Sequence, residues 1–162
     1  MSTLLASILF LINFPGTANL PGTQYNKNDS VLPSGWYYIA ETNNGWKRKL
    51  AKTSEYFFVN PEPIVTVKNF KETILYHEKS CYALFIQLDS NGSKAWASAL
   101  LKAKGKKLAF ILDDSLLQTP VVDSQFARDD PREYGNILAL PCSSYSVTQL
   151  KRYKTIIESE NR

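Results

Sequence analysis

From Trp36 onward the apolar residues of this chain fall into short β-branched and aromatic runs, each closed by Gly, Pro, Asn or Asp. Runs of that length suit strands better than packed helices, so this feature commits the chain to a sheet. Cys81-Tyr82-Ala83-Leu84-Phe85-Ile86-Gln87-Leu88 is apolar on both faces and predicts a central strand. Trp36 to Ala40, Glu55 to Val59 (ended by Pro61 and Pro63) and Tyr134 to Leu140 predict three more. Lys107 to Leu112 and Leu116 to Val122, separated by Asp113-Asp114-Ser115, read as a hairpin.

Helical spacing is rarer. Trp96, Ala99, Leu100 and Ala103 share one helix face, with Asp89-Ser90-Asn91-Gly92 to cap it and Gly105 to stop it. Ser146-Val147-Thr148-Gln149 is a capping box for a helix presenting Val147, Leu150, Tyr153 and Ile157 on one side. A short helix is expected over Asn69 to Leu75, where Phe70 and Ile74 share a face. The expected order is therefore β, β, α, β, α, β, β, β, α. About three helices cannot cover both faces of a parallel sheet, so the class is α+β with a largely antiparallel sheet.

Charge divides the chain. No charged side chain precedes Lys27, and Leu4 to Ile12 holds one polar residue. An apolar run there, followed by Gly16-Thr17-Ala18, has the form of a secretory signal cut after Ala18, or of an N-terminal anchor. Residues 19–34, rich in Pro, Gly, Asn, Thr and Ser, read as a linker, leaving 35–162 as one domain. With 162 residues, 44% of them hydrophobic, the chain can bury a core of its own, and its net +4 draws polyanions only weakly. The signal and linker imply export to a periplasmic or extracellular compartment, with membrane proximity through the N-terminal segment.

Three stretches taken together resemble a known family. They are Leu84 to Asp89, then Gly92 with the Trp96 helix, then Gly105-Lys106-Lys107-Leu108-Ala109-Phe110-Ile111-Leu112-Asp113. In this order they resemble the head of the first periplasmic domain of the SecD translocation subunit. Pro120 and the closing helix from Ser146 extend the match over Tyr82 to Ile157, although Leu150 stands where a small residue is common. The resemblance implies an α+β fold, an extracytoplasmic location and a role in handling protein substrates, with protein export as the process it suggests.

Chemistry-bearing residues are sparse. His77 is the only histidine, so zinc or triad chemistry lacks ligands and bases. Asp113-Asp114 and Asp129-Asp130 sit where turns are expected, and Asp89 to Gly92 lacks the downstream ligands of a calcium loop. No phosphate loop or nucleophile elbow is present, so no catalytic residue, metal or cofactor is expected. The basic clusters (Lys47-Arg48-Lys49; Lys102 to Lys107; Lys151, Arg152, Lys154) fit exposed faces and helix C-termini better than a nucleic-acid track. Cys81 and Cys142, each beside an apolar segment, are expected as two unpaired buried thiols, with a bridge between them the alternative in an oxidising compartment. What remains is aromatic strand surface. Outward-facing members of the Trp36-Tyr37-Tyr38 strand, Trp36 and Tyr38 foremost, are the expected contacts for an extended polypeptide. The sequence thus points to a non-enzymatic protein- or peptide-binding module. An interaction or inhibitor protein unrelated to secretion, or an enzyme of unrecognised type, stays open on the same scaffold.

Overall fold

A computed structural model describes residues 31–41, 43–78, 81–123, 137–140 and 143–162. The expected signal or anchor, the linker up to residue 30, Asp129-Asp130 and Cys142 lie outside them. The strands are β1 (Gly35–Ile39), β2 (Trp46–Lys49), β3 (Tyr56–Thr66), β4 (Phe70–Glu78), β5 (Cys81–Leu88), β6 (Leu108–Leu112), β7 (Ser115–Gln118) and β8 (Ile137–Leu140). Two helices complete the described elements, α1 (Ser90–Lys102) and α2 (Val147–Glu160).

All strand pairs are antiparallel, in a five-stranded sheet of order β2-β3-β1-β6-β7 and a three-stranded sheet of order β4-β5-β8. The larger sheet curls: the Leu50↔Leu116 bridge and the Ala51 N–H donating to the Leu116 carbonyl (2.9 Å) tie its two edges together. It is therefore barrel-like rather than an open layer. Inside the curl lie Leu32, Tyr37, Val59, Ala109, Ile111 and Leu116. Its other face, the small sheet and both helices enclose the main core, which includes Trp36, Leu84, Trp96, Phe110, Leu150 and Ile157. β6 is buried at every position because it has a core on each face.

The helix signals over α1 and α2 hold. Asp89 accepts from the Gly92 N–H (2.6 Å), Gly105 adopts φ +74°, and Ser146 and Gln149 cap each other's backbone. The third expected helix does not form. A single 3-10 turn, Val67–Asn69, leads straight into β4, where Thr73, Ile74 and Tyr76 pair with β5. Partnership with an apolar neighbour overrides a two-residue helical coincidence, and these residue types favour strands.

The prolines expected to end a strand at Val59 instead lie within β3. β2 pairs only with Tyr56 to Val59, and the β1–β3 register slips around Tyr37↔Pro63, so the prolines sit at an irregular, one-sided stretch that needs fewer N–H donors. The expected hairpin forms, but its turn is two residues rather than three: Asp113 and Asp114 take φ of 49° and 56° between the paired Leu112 and Ser115, and the second strand runs Ser115–Gln118.

The unpaired thiols were the wrong expectation. Cys81 is disulfide-bonded, and the only other cysteine of the sequence is Cys142. The reason is tertiary: the β5–β8 register Leu84↔Leu140 brings the end of β8 alongside the start of β5.

Candidate polypeptide-binding surface

β1 was expected to offer a partner Trp36 and Tyr38. Trp36 is 4% exposed, with the Trp96 ring 5.1 Å and the Phe110 ring 4.9 Å from its own. No partner reaches that ring without the core opening. Tyr38, on the same face two residues on, is half-buried against the core, and burial raises its phenol pKa. Tyr37 points into the curled sheet, where burial, then the negative charge of Asp114, pushes its pKa up to about 12.

The acidic turn is structural. Arg48, 8% exposed on the inward face of β2, donates through Nη2 (2.7 Å) and Nε (3.1 Å) to Asp114 Oδ1, which also accepts the Leu32 N–H (2.9 Å). One carboxylate thus pins the hairpin, β2 and the segment entering β1. His77 lies in β4, not at a helix end, and stacks on Tyr82 with 4.1 Å between centroids. No group of three or more His, Cys, Asp and Glu among the described residues is placed to hold a metal ion.

The basic residues are dispersed rather than pooled into one track. Lys47 sits over Tyr56, Lys107 over Phe57, and Lys52 over Tyr145, at 4.6, 5.1 and 5.4 Å from the ring centroids. The Lys106 hydrogen bond and charge hold the exposed Glu41 carboxyl below its usual range.

The surface that stands out was not anticipated. Alternation along β4 and β5 sends Leu75, Leu84 and Ile86 to the core and Ile74, Tyr76 and Phe85 to the outer face. Ile74 and Tyr76 are 45% and 47% exposed, and the Tyr76 and Phe85 rings meet edge-on at 5.5 Å. Among the described residues β4 is also an edge strand, pairing with β5 alone. The signal was present in Thr73-Ile74-Leu75-Tyr76, which is more β-prone than the helical reading allowed.

With the geometry described, comparison with known proteins decides the family. The model of the SecDF P1 head subdomain matches residues 44–138, more than half of the 162-residue chain. The chain belongs to this family. The SecDF match begins well before Tyr82 and so takes in β2, β3 and β4, which the sequence motifs had not covered.

Two solved structures share the fold. One is SecDF in its super-membrane-facing form, with a TM-score of 0.54 and 11% identity, covering 78% of this chain and 18% of that one. The other is described as a membrane component SecDF that enhances protein export, with a TM-score of 0.55 and 12% identity, covering 79% of this chain and 63% of that one. The chain thus spans only part of either protein. No curated protein sequence matches it. No helix among the described residues is long and apolar enough to cross a membrane.

Proposed function

We propose that this chain is a non-enzymatic, extracytoplasmic module that binds extended polypeptide in the course of protein export. The observation carrying the reading is an exposed apolar sheet face, Ile74 and Tyr76 beside Phe85, on a member of the SecDF P1 head family. Apolar side chains left in water on a rigid sheet favour a partner that covers them, and aromatic residues are preferred contacts. A related solved protein is described as enhancing protein export, which supplies the process. The disulfide at Cys81 supports an oxidising compartment. In this reading residues 1–18 serve as export signal or anchor, 19–34 as linker and 35–162 as the binding domain. The contact surface lies on β4 and β5, and Tyr38 is the member of the β1 pair that solvent reaches.

The test is capture of a permanently unfolded polypeptide, reduced and carboxymethylated, by the full chain, followed by fluorescence anisotropy. Ile74→Ser with Tyr76→Ser weakens binding at least about tenfold, or about 1.4 kcal/mol, with little change in melting temperature. Failure to capture the unfolded chain refutes the reading. Mass spectrometry of the exported protein checks the N-terminal assignment: a chain starting at Asn19 or a membrane-held Met1 species supports it, and an intact cytoplasmic species overturns it.

A further inference from the structure

The hydrogen-bonding phase of β4 can be worked out. The Asp89 N–H donates to the Asn69 carbonyl (2.8 Å), which sets the alternation of the β4–β5 ladder. After the bulge between Phe70 and Glu72, the positions bonded to β5 are Glu72, Ile74 and Tyr76, and Thr73, Leu75 and His77 turn their backbone groups outward. Two side chains of the α2 segment bear this out. Lys154 Nζ donates to the Thr73 carbonyl (2.8 Å) and Asn161 Nδ2 to the Phe70 carbonyl (2.7 Å). The first half of the edge is therefore capped from within the chain. Among the described residues, no hydrogen bond reaches the N–H or C=O of Leu75 or His77.

We propose that β4 binds by strand addition, taking onto Leu75 and His77 an extended apolar polypeptide segment that carries an acidic residue. This rests on the polypeptide-binding reading above and specifies its mode. Outward N–H and C=O groups at every second residue are complementary to the backbone of another strand. Such a strand places alternate side chains beside Ile74 and Tyr76, where apolar or aromatic residues gain most from covering the shelf.

Charge selects among apolar segments. The two caps place Asn161 beside Phe70 and Lys154 beside Thr73, so α2 runs antiparallel to β4. Lys151, exposed and one turn before Lys154, continues that line toward Leu75. Lys154 is already paired with Glu158, so Lys151 is the cation that favours an acidic residue in the added strand and disfavours a basic one. It also opposes pairing of two copies through this edge, which brings like charges together.

The experiment uses the full chain and three labelled peptides. One alternates valine and threonine around a glutamate, the second replaces that glutamate with lysine, and the third is the glutamate peptide N-methylated at alternate amides. The glutamate peptide is expected to bind about tenfold more tightly than either of the others at low salt and to protect the Leu75 and His77 amides from exchange about tenfold. If unfolded polypeptide is captured but N-methylation changes nothing, or protection does not rise at Leu75 and His77, strand addition is overturned and the polypeptide-binding reading stands. Equal binding of the lysine peptide overturns the charge preference. Protection of both amides in a peptide-free, concentration-dependent dimer makes a second copy the occupant and overturns the proposal. If unfolded polypeptide is not captured at all, the parent reading falls instead.

Discussion

Trp36 provides the sharpest test of how this core is built. Its indole lies among Trp96 and Phe110 in the main core, and its Nε1–H meets no acceptor among the described residues. Trp36→Ala removes a buried aromatic, which costs about 3–5 kcal/mol, a large part of the roughly 5–15 kcal/mol that holds a domain folded. Trp36→Phe is a different perturbation. It gives up about 40 Å² of apolar burial, about 1 kcal/mol at ~25 cal/mol per Å², and a residual cavity adds about as much. Against this it removes a buried unsatisfied donor, a relief of about 1–3 kcal/mol. The phenylalanine variant should therefore fall within about 1 kcal/mol of the parent, while alanine loses several times that. Urea unfolding separates the two. With a slope of about 1–3 kcal/mol per M, alanine shifts the midpoint by about 1 M or more and phenylalanine by a fraction of that. If phenylalanine costs as much as alanine, the indole N–H has an acceptor and the reasoning fails. An unchanged midpoint for alanine means that the ring is not in the core at all.

Three further outcomes follow from single observations. Asp114→Ala removes the carboxylate to which Arg48 and the Leu32 N–H donate, leaving Arg48 the Lys47 carbonyl, and should cost about 2 kcal/mol. The exposed Asp113→Asn, also suited to a left-handed turn, should stay within about 0.5 kcal/mol; equal costs in denaturant titrations contradict the assignment of Asp114 as the anchor. The Cys81 bond, with Cys142 the only other cysteine, closes a loop of about 60 residues, so Cys81→Ser should lower stability by about 2–4 kcal/mol. Free thiol in denatured, unreduced protein argues against the bond. Burial raises the phenols of Tyr37 and Tyr145 from 10.0 to about 12, so the folded state holds these protons more tightly than the unfolded chain does. Their contribution is complete below pH 10 and is lost as pH rises toward 12. Unfolding midpoints across that window should fall, and should fall less steeply in Tyr37→Phe; a flat profile for the parent refutes the linkage.

Local chemistry made much of this protein readable in advance. Asp89 and Ser146 cap helices whatever surrounds them, Gly105 accepts a left-handed φ, and Asp113-Asp114 turns a hairpin, because each depends on residues within a turn of itself. The apolar face of α1 was legible for the same reason, since period reports orientation, whereas the expectation that β5 is covered on both faces failed: only Leu84, Ile86 and Leu88 are buried. The family resemblance rested on those same local features. Long-range choices were not legible. Phe70 to Leu75 is a strand because β5 lies beside it, β3 runs through its prolines because its partners stop short, and Cys81 is bonded because β8 returns along β5. Trp36 moved from expected surface to core by the same mechanism. Strand alternation separates the two faces of β1, but only the curl of its own sheet on one side, and the second sheet and helices on the other, determine that both faces are covered. The exposed β4 shelf is the counterpart of that outcome, since strand order left this edge open among the described residues, and order is settled by contacts between residues far apart in the chain.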